Sequence, residues 1–492
     1  MRARVALAVA ALAVLAYVPA LRSSPGRMPA DTKLYLYLDP GRLIADAPWT
    51  FDGRQFAGWV PHQVIAYLWP QGPWFWLGDR LGVSDWVVHR LWLGTLLFLA
   101  GAGVLWAARK LGLGLAAAAA AALVYQLAPY VLPYVSRTSA MLLPWAGLGW
   151  IVGLTVLAAT RSRWRHAALV ALVIASVGAV NATAIAMVAP APVLWLLVAA
   201  RDRRITWRRA AATATRIGGL SIAVSLWWIA MVVIQGRHGA DVLAYSESLE
   251  SVSFTSTSTE VWRGLGYWLT YVRDSYAATT AAGFDYLTWQ RVIAAGFVLL
   301  LLGVGGLVTT QWQERRFAIA LVATAVVLAV GVHPFDDPSP LMSLLRGDGT
   351  TGAALALRSS TRAVPMLLLG LALGTGALVD ASARLAGKIA PRAGAVTKGV
   401  GVAAVAVLAV TNLPALRYFH YIDPALERDE TVPAAWTEAA AALDATAEGG
   451  RVLQVPGQEF GAFRWGYTVD PPLPGLTERP LVTRDLLPLG SP

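Results

Sequence analysis

Apolar runs of about twenty residues recur along almost the whole chain, and no other feature restricts its fold so severely. The hydrocarbon core of a bilayer is roughly 30 Å thick, so a helix that crosses it needs about 20 mostly apolar residues. Such runs cover 4–21, 89–107, 113–129, 141–159, 167–182, 184–200, 217–235, 291–309, 317–333, 363–383 and 399–414. In hydrocarbon each backbone N–H and C=O must be satisfied within the segment, which makes every run a helix. With 57% hydrophobic and only 14% charged residues, a soluble globular domain is excluded. The expected fold is mostly α, a polytopic helical membrane protein of about eleven spans.

Lysine and arginine give the orientation. With the N-terminus in the cytoplasm, one set of short connections carries Arg109 and Lys110, then Arg161, Arg163 and Arg165, then Arg201, Arg203, Arg204, Arg208 and Arg209. The set continues with Arg315 and Arg316, then Arg384, Lys388, Arg392 and Lys398. The alternate short connections hold Arg137 in one case and no charge, around Asn181, in the other. This alternation follows the positive-inside rule and accounts for most of the +11 formal charge, so no nucleic-acid partner is implied. The expected location is the plasma membrane. "MRAR" before the first apolar run resembles the start of a signal peptide, but Pro19 beside the small residue Ala20 disfavours cleavage, and a retained helix is expected. Cysteine is absent, so no disulfide framework exists. Asn181-Ala182-Thr183 matches a glycosylation acceptor but lies between apolar runs, where it is expected to be a chance match.

The long polar segments, 22–88, 236–290, 334–362 and the tail from 415, all fall on the outer side, so any chemistry is expected there. Residues 1–414 are expected to form the membrane domain, and 415–492 the start of an extracytoplasmic α/β region that is cut short. Within the tail, "PAAWTEAAAALDATAEGG" reads as a helix after Pro433 with a glycine stop, and "RVLQVPG" as a short buried strand. In the first outer loop, "WVPHQVIAYLWPQGPWFWLGDRLG" carries Trp59, Trp69, Trp74 and Trp76, interrupted by Pro70 and Pro73. It reads as one or two short helices along the membrane surface, with tryptophans at headgroup level that are also suited to stacking on sugar rings.

Just ahead of that segment, "PADTKLYLYLDP" places Asp31, Lys33 and Asp39 in an otherwise apolar stretch. A carboxylate beside the outer leaflet suits a general base that takes a proton from an acceptor hydroxyl. If the stretch is strand-like, its alternation sends Asp31, Lys33 and Asp39 to one side. A solvated or capping acid is the plainer alternative, and Asp39, before Pro40, reads as the residue that ends the segment. Arg358 and Arg362 lie four apart at the outer mouth of a run, hence on one helix face. Guanidinium groups there suit a lipid phosphate through paired hydrogen bonds, or plain interfacial anchoring. "HPFDDP" offers His333, Asp336 and Asp337, metal-ligating types, but the flanking prolines point to a solvated turn. No cofactor is implied and no divalent cation is indicated; P-loop, zinc-ligand and nucleophile-elbow patterns are not evident. "YVRDSY" at 271–276 and Asp285 line the second outer loop, within reach of acceptor hydroxyls.

Five stretches, in order, resemble one family. They are "DTKLYLYLDPGRLI", "DGRQFAGWVPHQVIAYLWPQGPWFWLGDRLGV", "ESLESVSFTSTSTEVWRGLGYWL", "ALALRSSTRAVPMLLLGLALG" and "DPPLPGLTERPLVTRDLLPLG". Together they are similar to the actinobacterial alpha-(1→3)-arabinofuranosyltransferases of the GT-C superfamily. The resemblance implies transfer of an arabinofuranosyl group from a decaprenyl-phosphate donor to an arabinan acceptor in cell-wall assembly. It implies Asp31 as the base, with Glu250 at the family's Glu-Ser position as a second catalytic acid. Lys33, Arg358 and Arg362 then bind the donor phosphate, and Trp74, Trp262, Tyr267 and Asp285 contact acceptor sugars. Family chains are longer, so these residues are expected to be the N-terminal catalytic part. One departure stands out: Thr361 occupies a place where the family pattern has histidine. Two other classes remain open, a lipid-linked glycan flippase and an inactive glycan-binding scaffold. The apolar runs argue against a flippase, since they are nearly free of charge, with Asp380 near a cytoplasmic end.

Overall fold

A computed structural model describes residues 2–31, 34–55, 58–60, 64–239, 247–272, 280–347, 354, 358–446, 449–456, 461–468 and 470–483. Every expected apolar run lies on a helix. In chain order these are α1 (Arg2–Arg22), α2 (Asp85–Lys110), α3 (Leu115–Val135), α4 (Ser139–Arg161), α5 (Trp164–Val177), α6 (Ala182–Arg201), α7 (Trp207–His238), α8 (Gln290–Thr309), α9 (Arg315–Val330), α10 (Ser360–Ile389) and α11 (Pro391–Thr411). Among the described residues, nine are long and apolar enough to cross a membrane, where about eleven were expected. The other two, α5 and α9, have 14 and 16 residues.

The bundle is organised around two helices. α10 is almost wholly enclosed by α3, α8, α9 and α11, while α2 packs against α1, α3 and α4. Bilayer helices associate through close packing, and small residues let their backbones approach. Gly303 and Gly306 on α8 face Gly374 and Leu371 on α10, and a Cβ at Gly306 would fall 1.9 Å from the Gly374 carbonyl oxygen. Gly149 on α4 meets α2 in the same way, its added Cβ lying 2.6 Å from the Gly103 carbonyl carbon.

Contacts between connections separate into two faces. On one, Asp380 accepts from the Gly114 N–H at 2.7 Å, Trp312 donates to Leu111 O at 2.9 Å, and Glu314 takes Arg204 and the Trp195 indole. Burial pushes the Glu314 carboxyl above its ordinary range, against the opposing hydrogen bond from Arg204. On the other face, β1 (Arg27–Pro29) pairs antiparallel with β2 (Glu427–Asp429), Ser136 donates to Tyr421 O, and Tyr286 donates to Asn412 O. The chain exits of α1 and α11 are thereby tied together. Described parts of the long polar segments 22–88, 236–290 and the tail meet on this second face.

Local expectations there are met unevenly. The tryptophan-rich segment forms a 3-10 turn, Val64–Leu68, and a helix, Gln71–Arg80, with Pro70 at its entry. Ala434–Ala445 is the expected tail helix. The expected strand over "DTKLYLYLD" is not found among its described residues: Tyr35–Leu38 is a helical turn, with the Tyr37 and Leu38 N–H groups bonded to Leu34 O. The turn buries Leu34, Leu36 and Tyr37 together, which a strand cannot do on one side. Asp39 ends the segment by capping the helix Pro40–Asp46, accepting from Arg42 N at 2.9 Å. Val452–Leu453 is a strand but not a buried one: it pairs in parallel with Leu481–Val482 and leaves Leu453 65% exposed.

Gly306→Val should be strongly destabilising, because overpacking costs about 1–3 kcal/mol even where neighbours yield, and here the neighbour is backbone. Thermal unfolding in detergent would show it, and an unchanged midpoint would contradict the α8–α10 packing.

Candidate functional site

Asp31 follows β1 and is 2% exposed. Burial of a carboxylate is costly unless donors surround it, and two are provided. The Ser139 N–H, at the first turn of α4, donates to Oδ1 at 2.7 Å. The His89 ring, one turn into α2, places Nε2 at 2.9 Å from Oδ2. The other ring nitrogen fixes the tautomer. Arg90 Nη1 lies 2.8 Å from His89 Nδ1, and a guanidinium has no acceptor, so Nδ1 accepts and Nε2–H donates to Asp31. Arg90 is itself buried, and its remaining N–H groups go to the carbonyls of Ser23, Ser24 and Arg27 at 3.0, 3.3 and 2.8 Å. Tyr37 donates to the Asp31 carbonyl at 3.1 Å. Asp470, from the tail, accepts from Leu34 N at 2.8 Å. Lys33, two residues from Asp31, lies outside the described residues.

The stretch that supplies Ser139 also leads to the arginines. Tyr130 and Tyr134 adjoin with ring centroids 5.2 Å apart, and Tyr134 stacks on Tyr267 at 5.0 Å and 14°. Arg362 borders this aromatic group; burial pushes the Tyr267 phenol above its ordinary range, and the nearby Arg362 charge opposes that. Arg362 Nη1 donates to Asn181 Oδ1 at 2.7 Å, and that same oxygen caps α6 by accepting from Ala184 N. Arg362 Nε is buried without a hydrogen-bond partner among the described residues. Arg358 Nη2 lies 3.9 Å from Glu247 Oε2. Thr361, between the two arginines, is buried in the turn Ser360–Ala363.

The remaining expected residues are scattered. Glu250 stands exposed in the first turn of Leu249–Ser253, and no contact among the described residues joins it to Asp31. Trp74 is packed, its indole donating to Val88 O at 3.2 Å and its edge against Trp92. Trp262 packs on the main core at the end of the short helix Ser258–Trp262, followed by Arg263, which bridges Glu260 and Tyr286 O. Asp285 opens the turn Asp285–Thr288, and partial burial pushes its carboxyl up. Of "YVRDSY", 273–276 fall outside the described residues. His333 donates its Nδ1–H to Ser253 O, while Asp336 and Asp337 point into solvent.

Four residues of the site were not anticipated. His89 and Arg90 sit at the very edge of an apolar run, where an ionisable pair inside a span is itself a functional signal. Both residues lie within the expected run 89–107 and are fully buried, so the reading of the spans as nearly free of charge is qualified at this one. Ser139 contributes only its main chain, and Asn181 was read as a chance match.

Residues 15–492 match the family described as alpha-(1→3)-arabinofuranosyltransferase, N-terminal GT-C domain. The chain belongs to this family. Family relatives named alpha-(1→3)-arabinofuranosyltransferase in Mycolicibacterium smegmatis and Mycobacterium tuberculosis are each 32% identical over 95% of the chain. The chain spans 33% and 34% of those two proteins. The cryo-electron-microscopy structure of the arabinofuranosyltransferase AftD from mycobacteria superposes with a TM-score of 0.76 at 27% identity, covering 99% of this chain and 32% of that one. The GT-C fold expected from the resemblance is therefore the fold observed.

Arg90→Leu would strip donors from three main-chain carbonyls and from His89, with an expected stability loss of at least about 3 kcal/mol. A thermal midpoint in detergent equal to wild type would show that these bonds are not made.

Proposed function

We propose that this chain is the membrane-embedded catalytic part of a glycosyltransferase. It moves an arabinofuranosyl group from a decaprenyl-phosphate donor to an arabinan hydroxyl, in α-(1→3) branching, on the outer side of the plasma membrane. The observation that carries the reading is the Asp31 carboxylate, clamped by His89 and Ser139 where the first polar loop enters the bundle. Each carboxylate oxygen has a second lone pair beyond the bond it already accepts, so the group keeps capacity for a hydroxyl proton. On this reading the acceptor oxygen bonds to the anomeric carbon as the bond to the phosphate oxygen breaks. The hydroxyl proton passes to Asp31, and the electron pair leaves with the lipid phosphate, whose charge grows. Arg358 and Arg362 meet that charge through their guanidinium groups. Lys33 adds a third cation, and Tyr267 lines the way between donor and acceptor. Glu250, exposed and apart, is given no step. Residues 1–414 form the membrane domain in this proposal, and 415–492 open a further extracytoplasmic region.

Transport is the competing reading, and it needs ionisable groups along a path. His89 and Arg90 do not serve one, because carbonyls and a carboxylate already occupy them.

Asp31→Asn should lower transfer from a decaprenyl-phosphoryl arabinofuranose donor at least about 100-fold while the protein still inserts. Membranes with that variant, supplied with a synthetic arabinan acceptor, provide the assay, and retained turnover overturns the base assignment. Arg362→Ala should raise the donor KM about 10- to 100-fold, since a charge-assisted hydrogen bond is worth roughly 1.5–3 kcal/mol. An unchanged donor KM would remove Arg362 from the phosphate site.

A further inference from the structure

A groove of about 180 Å³ runs between the first polar loop and the tail. One wall is the helix Pro40–Asp46 with the turn that follows it, carrying Trp49, Phe51 and Gln55. The other wall is Pro474–Gly475, in the short helix Leu473–Leu476. Trp49 and Phe51 are 71% and 61% exposed, on the face that gathers the polar loops. Two large aromatic rings two residues apart, left open beside charged groups, are not explained by packing. Phe51 is held in place, its ring lying where a Cβ on Gly58 would be only 2.5 Å away.

The polar groups of the groove are braced rather than loose. Arg42 donates to Thr477 O at 3.0 Å and lies 3.4 Å from Glu478 Oε1, while Arg54 pairs with Asp46 and Glu478. The contacts to Thr477 and Glu478 cross from loop to tail, the Arg54–Asp46 pair stays within the loop, and Arg42, Asp46 and Arg54 line the cavity. The lining holds three carboxylates, Asp39, Asp46 and Asp52, against two guanidiniums, Arg42 and Arg54. A net negative lining disfavours a phosphate or an anionic lipid headgroup. It suits a neutral polyhydroxylated ligand, with C–H faces on the aromatic rings and hydroxyls on the charged groups. The volume lies below the roughly 300–1,000 Å³ of an enclosing ligand pocket, so the groove fits a short length of an extended chain.

Both walls are tied to Asp31. The loop wall follows it through the turn Tyr35–Leu38 and Asp39. The tail wall begins three residues after Asp470, whose carboxylate holds Leu34 N. We infer that this groove is a glycan-binding subsite, which seats a neutral furanoside chain through Trp49 and Phe51 and leads its end toward Asp31. The last step of that statement rests on the transferase reading above; the binding itself does not.

The test is therefore binding without turnover. The full 492-residue chain in Asp31→Asn form, without donor, is titrated with a synthetic α-linked arabinofuranosyl hexasaccharide by calorimetry and saturation-transfer NMR. Binding is expected, weakened at least about tenfold by Trp49→Ala and likewise by Phe51→Ala, as for a truncated aromatic anchor. Trp207→Ala, an exposed tryptophan on the opposite face, should leave it unchanged. No binding to the unmodified groove, or equal binding after both aromatic substitutions, overturns the subsite and leaves the transferase reading untouched. Binding through Trp49 in a wild-type chain that transfers no arabinose would uphold the subsite and overturn the transferase reading instead.

Discussion

The buried carboxylate of Asp31 is the point on which the polar face of this protein is assembled. Three separately folded parts meet there: the chain leaving α1, the first turns of α2, and the start of α4. A carboxylate in such a place is tolerated only if donors are fixed around it, and fixing them constrains everything nearby. His89 keeps its donor aimed at Asp31 because Arg90 occupies the other ring nitrogen. Arg90 holds that position because the carbonyls of residues 23–27 surround it. The result is a polar network inside the mouth of an apolar bundle, with the first loop's opening residues serving as part of the core.

How much of this was legible in the sequence depends on what kind of group does the work. The spans were legible because hydrocarbon admits one solution for backbone polar groups, and composition alone reports it. Asp31 was legible as a charge out of place. His89 and Arg90 open the expected run 89–107, but their part in holding Asp31 depends on tertiary placement that the run itself does not encode. Ser139 acts through its N–H, which no side-chain pattern encodes. Asn181 carried a readable signal, a capping residue before an apolar run, but its second role as an acceptor for Arg362 depends on tertiary placement. The alternation in "DTKLYLYLD" misled because so short an apolar stretch fits a strand and a helical turn equally.

The two faces also differ in how they treat positive charge. On the face rich in short basic connections, Arg204 is bound to Glu314 and Arg316 to Asp202, so part of the topological charge is locally neutralised. Across the bundle, Arg362 is positioned by an amide oxygen, which directs the guanidinium without cancelling its charge. An amide acceptor therefore orients this cation at little cost to its attraction for an anion. Such an arrangement suits the lipid-phosphate site proposed for Arg362.

The tail bears on the proposed chemistry by bracing the segment that carries Asp31. β2 pairs with β1 immediately before Asp31, and Asp470 grips Leu34 immediately after it, so the segment bearing the carboxylate is held from both sides by chain that follows α11. Leu481 N donates to Arg54 O and Glu478 lies against Arg42 and Arg54, which extends the same attachment outward along the loop. A first loop of this length, without the tail, would have its conformational entropy opposed mainly by contacts at its two ends. With the tail in place, the proposed base and the proposed glycan groove become parts of one braced surface, and an acceptor seated in the groove is oriented relative to Asp31 before the donor arrives.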